Sequence, residues 1–158
     1  TRNEGPWFYQ QLDLGYNYRM TDIQCALGCS QMKKLDYFLA RRRAIVARYN
    51  EAFADCRNIV TPYQMPDTNS GWHLYIIQVK NRDRKEVFER LRERGIGDNV
   101  HYIPVYEHPY YQEHGYKGVH CPVAEEVYSH IISLPVFPRL TEEQQEEVIR
   151  VVKQEVEE

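Results

Sequence analysis

From Thr21 to about Ala54 the chain has no proline, and Ile23, Leu27, Leu35, Phe38, Ile45, Tyr49 and Phe53 follow one another at steps of three, four, seven or eight. That spacing is helical, because side chains three and four apart share a face. Some 34 residues at ~1.5 Å each give a helix about 50 Å long, more than a chain of 158 residues needs across one core. Such a helix is expected to bridge two domains or two subunits, with a break near Asp36. Cys25-Ala26-Leu27-Gly28-Cys29-Ser30 is small throughout, and a mid-helix glycine costs about 1 kcal/mol relative to alanine. Two readings stay open: close approach of another backbone, and ordinary core packing.

The helix opens on a polar corner. Tyr16, Asn17, Tyr18 and Arg19 put two phenols, an amide and a guanidinium in consecutive positions, and Thr21 with Gln24 reads as a capping box. Free backbone N–H groups at a helix start suit an anion. Thirteen tyrosines exceed what a core alone uses, which favours a binding surface. The net charge of -3 arises from 20 basic and 23 acidic residues, scattered apart from Arg41-Arg42-Arg43 and an acidic C-terminal helix. Nothing here requires nucleic acid or an anionic membrane. No apolar run approaches the roughly 20 residues of a membrane span, so a soluble cytoplasmic protein is expected. Cys25, Cys29, Cys56 and Cys121 lack a CxxC spacing, and reduced thiols in packed positions follow. The opening Thr1-Arg-Asn-Glu-Gly-Pro-Trp-Phe-Tyr9 reads as a loop from mid-protein, so the chain is expected to be the C-terminal part of something longer.

Beyond the helix, Trp72 to Val79 is rich in aromatic and β-branched residues and reads as the best strand. Arg84 to Arg94 carries Val87, Phe88 and Leu91 on one face and stops at Gly95, which marks a helix. Asn99 to Pro104 reads as a second strand, giving a strand–helix–strand unit. Tyr106 to Gly118 reads as loop, Pro122 to His130 as a short helix, and Ile131 to Pro135 as a short extended piece. Thr141 with Gln144 is a second capping box, opening a helix to the end. The architecture expected is α/β, as an α+β small domain: a long N-terminal helix plus a small sheet with flanking helices. The expected divisions are a loop at 1–20, a connecting helix at 21–55 and a small domain at 56–158.

Chemistry is harder to place. His101, His108, His114, His120 and Cys121 fall within 21 positions, but zinc sites pair ligands at short fixed intervals and only His114 to His120 comes near. A metal site is therefore not expected. On a strand, Val100 and Tyr102 face one way and His101 the other, so His101 either points at a site or is a satisfied surface or core histidine. No G-x-S-x-G occurs, and Ser30, Ser70, Ser129 and Ser133 lack a local activating context. Asp98 and Glu107 form a conceivable carboxylate pair that nothing fixes. No Gly-rich phosphate loop is present among the eight glycines.

The run Gly15-Tyr-Asn-Tyr-Arg-Met-Thr-Asp-Ile-Gln-Cys-Ala-Leu-Gly28, with Gln31 and Lys34-Leu-Asp36, resembles the motif after the cofactor lysine in the DegT-type sugar aminotransferases. The resemblance continues through Trp72-His-Leu-Tyr75, Gly95-Ile96, Val100-His-Tyr-Ile-Pro-Val105, Pro109-Tyr-Tyr111, Pro122-Val-Ala-Glu-Glu126 and Ser133-Leu-Pro135, in the family's order. Val100 to Val105 with Cys121 to Glu126 looks most like the branch that makes UDP-4-amino-4,6-dideoxy-N-acetyl-β-L-altrosamine, a pseudaminic acid precursor. The resemblance implies the C-terminal domain of a fold-type-I transferase using pyridoxal 5'-phosphate (PLP), a homodimer with its sites at the interface. It implies transfer of an amino group from glutamate to a UDP-linked 4-keto-6-deoxy sugar. By the same resemblance Asn17 and, more weakly, Arg19 reach the cofactor phosphate of the neighbouring subunit, while His101, Tyr102 and Tyr18 lie near the sugar nucleotide. None of the six lysines has the context of the cofactor lysine, so no catalytic residue is expected in this chain and the chain alone is expected to be inactive. Many relatives carry a second histidine where this chain has Tyr106. Two other readings are a free-standing dimerisation or sugar-nucleotide-binding module, and a PLP-dependent sugar dehydratase relative.

Overall fold

The computed structural model describes residues 12–16 and 18–157. They divide into two compact units, Thr1–Lys34 and Leu35–Glu158.

In the first unit, helix α1 (Asp22–Met32) is opened by the capping box: the Thr21 hydroxyl accepts from the Gln24 amide at 3.4 Å, and the Gln24 side chain accepts from the Thr21 amide at 2.9 Å. No residue of α1 is buried, and Ile23 and Leu27 are 76% and 61% exposed. Neither reading of the small-residue run is met within the described residues, since a Cβ on Gly28 would have nothing within 4 Å. The helical run expected over 21–55 is two helices. Lys33 and Lys34 interrupt it, just before the break expected near Asp36, and α2 spans Leu35–Phe53.

The second unit is built on α2, whose Ile45, Val46, Tyr49 and Phe53 are buried. Its sheet has the order β1 (Ile59–Val60), β2 (Tyr75–Val79), β3 (Ile131–Leu134), with both pairings antiparallel. Along β2 the inward residues Tyr75, Ile77 and Val79 alternate with half-buried ones, the two-residue period of a strand with one core face. Facing them are Val87 and Leu91 of α3 (Arg84–Glu93) and Val148, Ile149, Val151, Val152 and Val156 of α6 (Glu142–Glu157). The second capping box closes as expected, with Gln144 N–H donating to the Thr141 hydroxyl at 3.2 Å. Gly95, at φ +79°, ends α3 in the left-handed conformation that glycine adopts without penalty.

Between α3 and β3 the chain makes one 3-10 turn (Val105–Glu107), a single helical turn α4 (Pro109–Tyr111), a wide turn (Gln112–Tyr116) and helix α5 (Pro122–His130).

Two expectations are corrected here. The strand expected over Asn99 to Pro104 is reduced to one bridge, Asn99 to Ser133. Asn99 turns its own side chain onto the Val100 amide at 2.8 Å, diverting a ladder donor, and Pro104 has none. The third strand is instead Ile131–Leu134, buried at all four residues. The strand expected from Trp72 begins only at Tyr75, because the carbonyls of Trp72 and His73 accept from the Arg42 guanidinium at 2.9 and 3.2 Å. Arg42 also donates to Val136 O at 3.0 Å, and Arg41 to Leu140 O at 3.0 Å. Arg41 and Arg42 of the basic cluster are therefore part of the scaffold.

Buried polar groups join the layers in the same way. The Gln145 amide donates to Ile45 O at 2.8 Å, the Tyr49 hydroxyl to Pro135 O at 3.0 Å, and the Tyr75 hydroxyl to Asn50 at 2.8 Å. Burial pushes both phenols well above their ordinary range. Arg42→Ala leaves carbonyls on two segments unmet and is expected to destabilise by about 1–3 kcal/mol. Arg43→Ala, whose exposed guanidinium donates to the Asn69 side chain at 2.8 Å, should change stability by under about 0.5 kcal/mol. Urea denaturation of the two variants distinguishes the roles.

Candidate functional site

Ser133 is the one hydroxyl within the apolar strand β3. Its backbone is held on both edges, paired to Ile76 in β2 and bridged to Asn99 by two hydrogen bonds of 2.7 and 3.1 Å. The side chain is buried, with Ser133 4% exposed, and its Oγ lies 2.8 Å from Nδ1 of His101. The His101 ring stands edge-on to Tyr102, centroids 4.7 Å apart at 78°. Tyr102 itself is 70% exposed. Thus two of the residues expected at a site are side by side, one anchored and one open. The serine that anchors the first lies 32 positions away, which is why its local context showed nothing.

Asp98, next to Asn99 in the chain, is 1% exposed. Arg92 donates from Nε to Asp98 Oδ1 at 2.6 Å and from its terminal nitrogen to the Asp98 carbonyl. Burial raises the carboxyl above its ordinary range, and Arg92 offsets part of that. Asp98 Oδ2 has no hydrogen-bond partner among the described residues. Glu107 is exposed and lines a cavity that does not include Asp98, so the two carboxylates do not form the pair weighed from the sequence.

That cavity, about 600 Å³, is lined by Tyr106, Glu107, Gln112, Gly118, Val119, His120 and Glu125. Glu125 organises it. Its Oε1 accepts from the Tyr106 hydroxyl and from the Cys121 amide, both at 2.9 Å, with His120 Nδ1 at 3.6 Å. The Cys121 amide, then Tyr106, hold the Glu125 carboxyl below its ordinary range. Partial burial, then Glu125, push the Tyr106 phenol up to about 12. Tyr106 therefore stays a neutral donor across the physiological range.

The histidines do not converge: His114 takes the Tyr110 carbonyl at 2.6 Å and stacks on its ring at 4.1 Å. Among the described residues no group of three or more His, Cys, Asp or Glu is placed to hold a metal ion. Cys25, Cys29 and Cys121 are exposed thiols rather than packed ones, and Cys56 is half-buried.

The expected phosphate corner belongs to the first unit. Tyr18 and Arg19 are exposed, with the Tyr18 ring 5.7 Å from that of Tyr16. Asn17 lies outside the described residues. The described residues do not by themselves fit a complete PLP site. Lys33, Lys34 and Lys117 are exposed, Lys85 pairs with Glu89 at 3.7 Å on the α3 surface, and the buried carboxylate Asp98 is engaged by Arg92.

With this geometry in hand, the comparisons with known proteins define the class. The chain belongs to the DegT/DnrJ/EryC1/StrS aminotransferase family, whose profile matches residues 2–153. The chain is 38% identical over 110 residues to the UDP-4-amino-4,6-dideoxy-N-acetyl-β-L-altrosamine transaminase of Campylobacter jejuni, covering 68% of this chain and 29% of that protein. Helicobacter pylori PseC, an aminotransferase involved in the biosynthesis of pseudaminic acid, superposes with a TM-score of 0.86 at 28% identity over 98% of this chain and 42% of its own. Streptococcus pneumoniae Spr1654 in its PLP form gives 0.84 at 31% identity, over 96% and 39%.

The fold is thus that of the C-terminal segment of a fold-type-I aminotransferase. The chain spans about two-fifths of the length of the relatives that it matches nearly end to end, 42% and 40% for two curated ones.

The Glu125 contact is testable by titration. In Glu125→Gln the Tyr106 phenol, followed by NMR of Cζ-labelled tyrosine, is expected to titrate below its value of about 12, toward the ordinary ~10. Because the folded Glu125 pKa is depressed, its contribution to stability is complete above the ordinary carboxylate range. It is lost as pH falls through the depressed value. Glu125→Gln should flatten the acid limb of the stability curve.

Proposed function

We propose that this chain is the C-terminal portion of a PLP-dependent, homodimeric sugar aminotransferase, transferring an amino group from glutamate to a UDP-linked 4-keto-6-deoxy sugar on a pseudaminic acid-type route. The observation that carries the reading is the His101–Tyr102 corner anchored on Ser133, within a chain matched along 2–153 by the aminotransferase family. The names of the Campylobacter and Helicobacter relatives support the sugar class, and the PLP form of Spr1654 supports the cofactor.

When bound, PLP supplies the electron sink that amino transfer needs. What this chain contributes is binding and orientation. Asn17 and, more weakly, Arg19 donate to the phosphate of the cofactor held by the neighbouring subunit, a charge-assisted contact. His101 and Tyr102 contact the sugar nucleotide, and Tyr18, an exposed phenol of the first unit, is a further candidate for a sugar-nucleotide contact. The lysine that carries the aldehyde lies outside residues 1–158, so the 158-residue chain has no turnover alone. A cytoplasmic setting accords with a nucleotide-sugar substrate and with the four cysteines, all free in the structure.

The decisive experiment supplies the full-length protein with PLP, glutamate and a UDP-linked 4-keto-6-deoxy sugar and follows 2-oxoglutarate with the amino sugar. Dehydration of the sugar without amino transfer would favour the dehydratase relative instead. Arg19→Ala and Asn17→Ala are each expected to weaken PLP binding roughly tenfold, the loss of one hydrogen bond to a charged group, measured by absorbance titration. The 158-residue chain with PLP should give no imine that borohydride fixes.

A further inference from the structure

We propose that Ser133 is a positioning residue that locks His101 in the Nε2–H tautomer, so that the free edge of the imidazole is a hydrogen-bond donor to an acceptor oxygen of the sugar nucleotide. The inference rests on the reading of His101 as a ligand contact and adds its chemical polarity.

The tautomer follows from counting donors. Ser133 Oγ is buried, and the His101 Nδ1 at 2.8 Å is its sole hydrogen-bond partner among the described residues. A hydroxyl carries one proton to donate. If Nδ1–H donated to the serine, the serine's own proton would be buried with no acceptor, a cost comparable to a lost hydrogen bond. If the serine donates to Nδ1, both groups are satisfied, and the proton of the neutral ring sits on Nε2. That nitrogen has no partner among the described residues. The Ser133 backbone is fixed, paired to Ile76 on one edge and bridged to Asn99 on the other, and the Tyr102 ring stands edge-on to the imidazole. A neutral His101 so held cannot act as a base through Nε2. It suits a ligand rich in acceptor oxygens, such as a diphosphate or the 4-keto group of the proposed substrate.

Long-range ¹H–¹⁵N correlation spectra of the full-length protein, labelled with ¹⁵N-histidine and recorded above the imidazole titration range, test the tautomer directly. The wild-type His101 signal is expected to show a bare Nδ1 and a protonated Nε2. Ser133→Ala should give a mixture of tautomers, and Ser133→Thr, which keeps the hydroxyl, should restore the single form. A wild-type spectrum with the proton on Nδ1 overturns the proposal.

Kinetics test the consequence. Ser133→Ala should raise KM for the sugar nucleotide roughly fivefold, the size of one ordinary hydrogen bond, and leave KM for glutamate unchanged. In a His101→Ala background it should then add nothing. An equal effect of Ser133→Ala in both backgrounds marks a structural role and overturns the proposal. If His101→Ala itself leaves the sugar-nucleotide KM unchanged, the reading of His101 as a ligand contact fails and the donor role with it. The spectra then still decide the tautomer separately.

Discussion

The pairing of β3 with β2 is the constraint on which the rest of the second unit depends. Four consecutive buried residues, Ile131 to Leu134, lie in register with Tyr75 to Gln78, and Asn99 bridges the opposite edge. A strand buried this fully cannot slip by one residue without turning Ile132 and Leu134 out of the core. Register therefore places Ser133, the lone polar side chain of the strand, where it meets His101. Core packing and site geometry are one decision.

Arginines extend that logic to the loops. Arg42 gathers carbonyls from Trp72, His73 and Val136, so the segments entering β2 and leaving β3 are held to the same helix. A planar guanidinium with five donors can do this where a lysine cannot. Arg92 fastens Asp98 and hence the approach to Asn99. Charges that look in sequence like solvated surface are used as backbone acceptor partners, since carbonyls that leave a ladder must be met elsewhere.

The first unit follows a different rule. Helix α1 has a well-formed N-terminus and no buried side chain, so its local signals are complete while its apolar residues Ile23 and Leu27 remain exposed. Capping chemistry acts within four residues and needs no tertiary partner. This is why Thr21 with Gln24, and Thr141 with Gln144, were legible from the residues alone.

What the sequence by itself determined is the local and periodic part. It set the helical spacing of α2, the alternation of β2, both capping boxes, the glycine stop after α3 and, through motifs in order along the chain, the family. What only the tertiary structure decided rests on contacts between residues far apart: the bridge of Asn99 to Ser133, the placement of β3, the Glu125 contact with Tyr106 and Cys121, and the hydroxyl behind His101. The reason is physical. Periodicity and capping are short-range properties of a chain, whereas the partner of a buried hydrogen-bonding group is chosen by whichever distant segment the packed core brings to it.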